Sequence, residues 1–187
     1  MKLNLGCGND KRSGFVNVDK ELSSEPDIVL NLEQLPWPWE TSSVDEILLK
    51  HTLEHLGRDP ETYLSIIKEL WRISKNGASI TITVPHPRHD HFINDPTHVR
   101  PVTPEGLMLF SKSKNREWIE KGFANTPLGL HLDIDLEVVS VNMVPEQPWL
   151  GRFERGEINN QQLSEAASQF NNVIRESTVV LRALKAG

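Results

Sequence analysis

The feature that most limits how this chain can fold is a strand–helix–strand unit between residues 44 and 84. Val44–Leu49 is an apolar strand candidate, and Asp59-Pro60 has the cap and first-turn proline that begin a helix. Apolar residues then recur at helical spacing, at Leu64, Ile67, Leu70, Trp71 and Ile73. We expect Asn76-Gly77 to end this helix and Ala78–Val84 to form a β-branched strand. A helix between two strands predicts that the strands run parallel.

Further strand candidates lie on both sides of this unit. They are Leu3–Leu5, Phe15–Asp19, Asp27–Asn31, Leu136–Val144 and Thr178–Leu184. Apolar spacing from Leu163 to Ile174 predicts another helix. Residues 178–184 could extend that helix, but we favour a last strand that pairs with 136–144. The sequence therefore predicts an α/β fold with a mostly parallel sheet, in one domain spanning residues 1–187.

Composition and charge exclude several classes of protein. The 187 residues include 20 Lys and Arg against 26 Asp and Glu, and the basic residues are scattered, which disfavours a nucleic-acid partner. Cys7 is the only cysteine, so no disulfide can form within the chain. No apolar stretch has the length of a signal peptide or a membrane span. We expect a cytoplasmic protein with no membrane partner.

Two glycines follow the first predicted strand, and an acid ends the second. Ligands of open α/β sheets bind beyond the carboxyl ends of the strands, where Gly6 and Gly8 would let a ligand approach the backbone. Asp19 can accept both hydroxyls of a ribose, although a tight turn and a solvated acid would look the same. Residues 9–14 are too short and polar for the helix that binds a pyrophosphate. The expected ligand is an adenosine with a small charged tail.

The glycines and the acid belong to a longer ordered pattern. Leu3-Asn4-Leu5-Gly6-Cys7-Gly8 followed by Asn17-Val18-Asp19 resembles the first two cofactor motifs of class I S-adenosylmethionine-dependent methyltransferases. Residues 31–37, 43–56 and 69–85 resemble the adenine-contacting segment, the fourth strand with its turn, and the helix and fifth strand of the small-molecule, type 11-like branch. The resemblance implies a Rossmann-like sheet with helices on both faces, an antiparallel last strand, and first helices that are shortened or missing.

The resemblance also implies S-adenosylmethionine as the cofactor and methyl transfer to a small molecule or sugar hydroxyl as the activity. It assigns the glycine turn to the methionine part, Asp19 to the ribose, Asn31 to the adenine amino group, the Leu32 amide to a ring nitrogen, and His51 to the sulfonium end. Gly6, Cys7 and Gly8 make up the glycine turn. Only a short loop follows it, so the cavity is expected to be open there unless a second copy of the chain closes it.

Two other functions fit the same sheet. An open cofactor side favours a non-catalytic S-adenosylmethionine-binding module that serves a partner protein. An aminopropyl-transferring or nicotinamide enzyme is a third interpretation, which the glycine pattern disfavours.

The segment from Pro85 to Pro104 contains four of the seven histidines. It leaves the fifth strand at its carboxyl end, so it should lie over the methyl group. Its metal-ligand candidates are His86, His89, His91 and Asp95. Their spacing fits no metal signature, so we predict no bound metal. Acid–base chemistry is a second interpretation, with His51, His98 and Arg100 as catalytic residues and Arg100 holding an acceptor carboxylate or phosphate. A loop that hydrogen-bonds to itself is the third.

Overall fold

Seven strands form one mixed sheet in the computed structural model, which describes residues 1–185. The strands are β1 Lys2–Leu5, β2 Val16–Asp19, β3 Ile28–Val29, β4 Val44–Lys50, β5 Ser74–Pro85, β6 Leu136–Pro145 and β7 Ile174–Ala183. They lie in the order β3-β2-β1-β4-β5-β7-β6. The five strands β3, β2, β1, β4 and β5 are parallel to one another, whereas β7 is antiparallel to both β5 and β6. The predicted mostly parallel sheet and antiparallel last strand are confirmed.

Seven helices accompany the sheet in the described part of the chain. They are α1 Pro60–Ile73, α2 Asp90–Ile93, α3 Pro104–Met108, α4 Lys112–Glu120, α5 Leu128–His131, α6 Trp149–Glu154 and α7 Asn160–Gln169. Helix α1 begins where the sequence predicts, because the Asp59 carboxylate accepts a hydrogen bond of 2.8 Å from the Thr62 amide. It connects β4 to β5 and buries Ile66, Ile67 and Leu70. No helix within residues 1–185 is long and apolar enough to cross a bilayer.

Two predicted boundaries were wrong. Strand β5 starts at Ser74, directly after α1, so Asn76-Gly77 lies inside the strand instead of ending the helix. The Ser74 hydroxyl donates to the Leu70 carbonyl at 2.7 Å and satisfies one of the last carbonyls of α1. Helix α7 ends at Gln169, where Phe170 becomes extended, and Ile174 pairs with Pro145 at the start of β7. Helices α2 to α6 were not predicted.

The connection between β1 and β2 contains no helix, and only a 3₁₀ turn at Leu22–Ser24 lies between β2 and β3. The expected shortening of the first helices is therefore confirmed. A buried polar network takes their place. The Asn4 side-chain amide donates to the Asp10 carbonyl at 2.8 Å and to Asn17 Oδ1 at 3.0 Å, while Asn17 Oδ1 also accepts from the Arg12 amide. These bonds hold the loop after β1 against the strands.

The segment after β3 is attached to α1 by two buried tryptophans. The Trp37 amide donates to the Glu69 carboxylate at 3.0 Å. Arg72, paired with Glu69 at 2.6 Å, donates to the carbonyls of Trp37 and Trp39. The Trp37 indole donates to the Leu32 carbonyl at 3.1 Å. Helix α1 thereby fixes the position of the segment that follows β3 at the carboxyl edge of the sheet.

Candidate functional site

A cavity of about 390 Å³ opens at the carboxyl ends of β1 to β4. Five of the residues that the sequence assigned to the cofactor line it, namely Gly6, Asp19, Asn31, Leu32 and His51. Cys7 and Gly8 belong to the same turn but are not part of its lining. Thr52, His55 and Thr97 also line it, and none of these three was expected to contact a ligand. The volume falls within the range of about 300–1,000 Å³ that is usual for small-molecule sites.

The Asp19 carboxylate is held in place by two backbone amides. Its Oδ2 accepts a hydrogen bond of 2.8 Å from Gly8, and its Oδ1 accepts one of 2.9 Å from Glu21. Each carboxylate oxygen has further lone pairs after these bonds. Asp19 is therefore a fixed acceptor with two oxygens at the cavity, an arrangement suited to a pair of neighbouring hydroxyls.

Gly6 is required by close packing as well as by its backbone angles. Its φ is +69°, and a Cβ built on it would lie 2.3 Å from Thr52 Cγ2. The amides of Gly6 and Cys7 both donate to the Val18 carbonyl, which fixes the turn against β2. Cys7 itself is buried, and this burial, together with the nearby Asp19 carboxylate, raises the pKa of its thiol. The thiol is thus a small protonated side chain that packs inside the turn.

The segment after β3 presents a backbone amide to the cavity. Asn31 Oδ1 accepts from the Glu33 amide at 3.0 Å, an Asx turn that orders this segment. Glu33 in turn accepts a hydrogen bond of 2.7 Å from the Gly57 amide. Within residues 1–185 the Leu32 amide has no hydrogen-bond acceptor. Leu32 lines the cavity, and its assignment to an adenine nitrogen stays a prediction.

His51 lies directly after β4 with a φ of +52°, an uncommon conformation for a residue other than glycine. Its amide donates to the Thr83 carbonyl at 2.8 Å, which ties this residue to β5. The imidazole Nδ1 is 3.5 Å from Glu54 Oε1, and Nε2 is 3.4 Å from Glu176 Oε2. Glu54 raises the pKa of His51, burial opposes this effect, and Glu176 adds to it. Glu176 comes from β7, and no sequence signal pointed to it.

The histidine-rich segment divides into two groups. Thr97 lines the cavity, and His98 lies behind it, with its ring edge-on against that of His55 and the centroids 4.6 Å apart. His89 is buried elsewhere, with its ring centroid 4.4 Å from that of His91 and its Nε2 3.5 Å from Glu146. Only the second half of the segment therefore takes part in the site.

The Arg100 amide donates to the Glu54 carbonyl at 3.3 Å, in the 3₁₀ turn at Leu53–His55. Its guanidinium donates to the Gly57 carbonyl at 2.8 Å and lies over the Tyr63 ring, 4.3 Å from the centroid. It lines a second cavity of about 310 Å³, together with Tyr63, Phe110 and Leu128. The structure thus places Arg100 and His51 in different cavities.

Comparison with known proteins identifies the fold. No protein-family model and no curated protein matches the sequence. A SAM-dependent methyltransferase from Archaeoglobus fulgidus is similar in structure, with a TM-score of 0.63 and 18% identity over 97% of this chain and 85% of that one. A SAM-dependent methyltransferase from Methanosarcina mazei has a TM-score of 0.57 and 15% identity over 99% and 92%. The [4+2]-cyclase SpnF has a TM-score of 0.53 and 13% identity over 99% and 75%.

These likenesses confirm, at the level of the fold, the resemblance found in residues 3–85. The sheet order and the antiparallel β7 are those of the class I methyltransferase Rossmann-like fold. A cyclase with the same fold shows that the fold does not determine the reaction.

Proposed function

We propose that this chain, which has the class I methyltransferase fold, binds S-adenosylmethionine in the 390 Å³ cavity and transfers its methyl group to a hydroxyl of a small molecule or sugar. One observation carries the proposal. Residues named from separate sequence motifs, at the ends of four different strands, line a single cavity of suitable size. Such convergence at the carboxyl edge of a parallel sheet is where this class of fold binds its ligands.

The cavity offers a partner for each part of the cofactor. Asp19, held by the amides of Gly8 and Glu21, would accept the two ribose hydroxyls. The Leu32 amide would donate to an adenine nitrogen, and the Asn31 side chain would meet the amino group. The turn at Gly6–Gly8 would pass under the methionine part, and Thr52, which packs against Gly6, lines the same cavity.

His51 would lie at the sulfonium end and assist the acceptor. Methyl transfer from a sulfonium is a direct displacement, so the alignment of the two reacting atoms supplies much of the rate. A hydroxyl acceptor must also lose a proton, and an imidazole held between two carboxylates can receive it. His98 would act from the same end of the cavity, and Arg100 would contact only an acceptor that reaches the second cavity.

The alternative is a non-catalytic S-adenosylmethionine-binding module that serves a partner protein. The helix-free connection between β1 and β2 favours it, because only a loop covers that side of the cavity. Both the enzyme and the module are compatible with a homodimer in which a second copy of the chain closes this side. Binding is common to both functions, and turnover distinguishes them.

The test is calorimetric titration of the full chain with S-adenosylhomocysteine, followed by assay of S-adenosylhomocysteine release with a panel of hydroxylated acceptors. Wild-type protein should bind, and at least one acceptor should support release. His51→Asn, which suits the positive φ, should weaken binding, because His51 lines the cavity, and should lose turnover even at saturating cofactor. Binding without turnover on any acceptor would favour the module. No binding at millimolar ligand would contradict both.

A further inference from the structure

Three side chains with metal-binding atoms converge at the edge of the cavity. One ligand atom from each of Glu54, His55 and His98 lies within 4.8 Å of those of the other two. Glu54 and His55 are adjacent in the 3₁₀ turn after β4, and the Glu54 carbonyl accepts a hydrogen bond of 2.9 Å from the Val99 amide. The turn and the histidine-rich segment are thereby fixed to each other, and the cluster is part of the folded framework.

The Glu54 carboxyl group is buried with neither oxygen satisfied. The residue is 0% exposed, and neither Oε1 nor Oε2 has a hydrogen-bond partner among residues 1–185. In that part of the chain the one ion-pair approach is from His51 Nδ1, at 3.5 Å. Burying an unpaired carboxylate is costly, so buried acids are normally paired, protonated or bound to a metal. Apart from this approach of His51, both Glu54 oxygens have lone pairs that could bind a metal ion.

Both histidines are held with one nitrogen available. The Thr97 hydroxyl donates to Asp95 Oδ1 at 2.6 Å, so it accepts from His55 Nδ1 at 3.0 Å. His98 Nδ1 is 2.9 Å from the Phe92 carbonyl, which can only accept. In the neutral form, each ring therefore has its proton on Nδ1 and its lone pair on Nε2. This is the arrangement by which partners orient metal-bound histidines. Asp95 Oδ2 is 3.7 Å from His98 Nε2, beyond a hydrogen bond.

We infer that Glu54, His55 and His98 form a binding site for a divalent transition metal such as Zn²⁺. Two imidazole nitrogens and one carboxylate oxygen suit zinc or iron(II), with a further position open to water or a substrate. That position would face the cavity, because His55 and Thr97 line it. Tetrahedral ligands of zinc are about 3.4 Å apart, so the side chains need to close by at most about 1.4 Å.

This metal site is not formed by the metal-ligand candidates that the sequence suggested. The earlier metal-ligand candidates were His86, His89, His91 and Asp95, and none of them is among the three clustered residues. The prediction of no bound metal followed from their irregular spacing. Glu54 escaped notice because its partner in the cluster, His98, is distant in the sequence.

The test uses Zn²⁺ alone, titrated by calorimetry into the metal-depleted full chain without any cofactor, so the result is independent of S-adenosylmethionine binding. Wild-type protein should bind one Zn²⁺ per chain, and its melting temperature should rise. Glu54→Gln keeps the shape of the side chain and should weaken Zn²⁺ binding by more than about 100-fold, the upper end of the loss seen when only an outer partner is removed. His98→Ala should do the same.

The matched control is His91→Ala, which removes an exposed histidine of the same segment and should leave Zn²⁺ affinity unchanged. A cooperative melting transition of each metal-free variant shows that the variant is folded. If His98→Ala does not fold, the Glu54→Gln result alone tests the inference. The inference is overturned if folded wild-type protein binds no Zn²⁺, or if Glu54→Gln binds it as tightly as wild type.

Discussion

The backbone amide of Gly8 donates a hydrogen bond to Oδ2 of Asp19 over 2.8 Å, so the glycine turn orients the acid that faces the cavity. If Asp19 holds the ribose, Asp19→Ala should weaken S-adenosylhomocysteine binding. Each lost hydrogen bond to a charged group is worth about 1.5–3 kcal/mol, or about 10- to 150-fold in affinity. Calorimetry measures the change.

Two further variants make the Asp19 result interpretable. Asp19→Asn keeps one acceptor for the Gly8 or Glu21 amide and should retain the fold while still losing affinity. Glu40→Ala removes an exposed acid outside the cavity and should bind as wild type. Equal affinity of Asp19→Ala and wild type would remove Asp19 from the site.

Gly6→Ala should destabilise the protein more than a comparable glycine substitution elsewhere. Its Cβ would lie 2.3 Å from Thr52 Cγ2, in addition to the strain of a positive φ. Gly14→Ala is the control, because Gly14 has a φ of +81° and no atom near its Cβ position. Both variants carry the backbone strain, and overpacking should cost Gly6→Ala about 1–3 kcal/mol more in unfolding free energy. Equal losses in denaturant unfolding would contradict the packing argument.

Glu69 should contribute stability that is lost in acid. Burial raises the pKa of Glu69, but the hydrogen bonds from Arg72 and from the Trp37 amide together lower it by more than burial raises it. The net shift of the pKa is therefore downward. A lowered pKa in the folded state gives stability above the unfolded value of about 4.3, and this stability disappears as pH falls through the folded value.

Glu69→Ala tests this contribution directly. It leaves the partly buried Arg72 guanidinium and the Trp37 amide without their acceptor and should cost about 1–3 kcal/mol at neutral pH, measured by denaturant unfolding. Lys68→Ala, at an exposed position of α1, should change stability by less than about 0.5 kcal/mol. The Glu69 variant should also lose part of the wild-type dependence on pH in the acid range. An unchanged pH dependence would rule out the proposed linkage.

Tyr63 is the only tyrosine, so its phenol can be titrated without overlap from other residues. Burial raises the pKa of Tyr63 to about 12, although the Arg100 guanidinium above its ring opposes the shift. The folded chain keeps the proton in the window between pH 10 and 12, where the unfolded chain loses it, so stability should fall as pH rises through that window. Tyrosinate absorbance should have a midpoint near pH 12 in native protein and about 10 in denaturant. A native midpoint near 10 would show that the phenol is solvated.

The sequence alone predicted the elements whose signals are local. The cap at Asp59-Pro60 and the apolar spacing behind it placed α1, because both act within a few residues of the chain. The glycine turn and Asp19 were found in the same way, since each lies at the end of its own strand. Parallel strands bring their carboxyl ends to one edge, so local signals also predicted that these residues would meet.

Only the tertiary structure brought Glu54, His55 and His98 together, placed Glu176 beside His51, and separated Arg100 from that histidine. Each of these relationships joins segments far apart in the chain. Strand pairing and loop packing set the distances between these side chains, and the spacing of neighbouring residues in the sequence predicts neither. Pairing with Pro145 also placed Ile174 in β7, although the apolar spacing of the sequence had assigned it to α7. The sequence therefore determined which residues lie at the edge of the sheet, and long-range packing decided which of them touch.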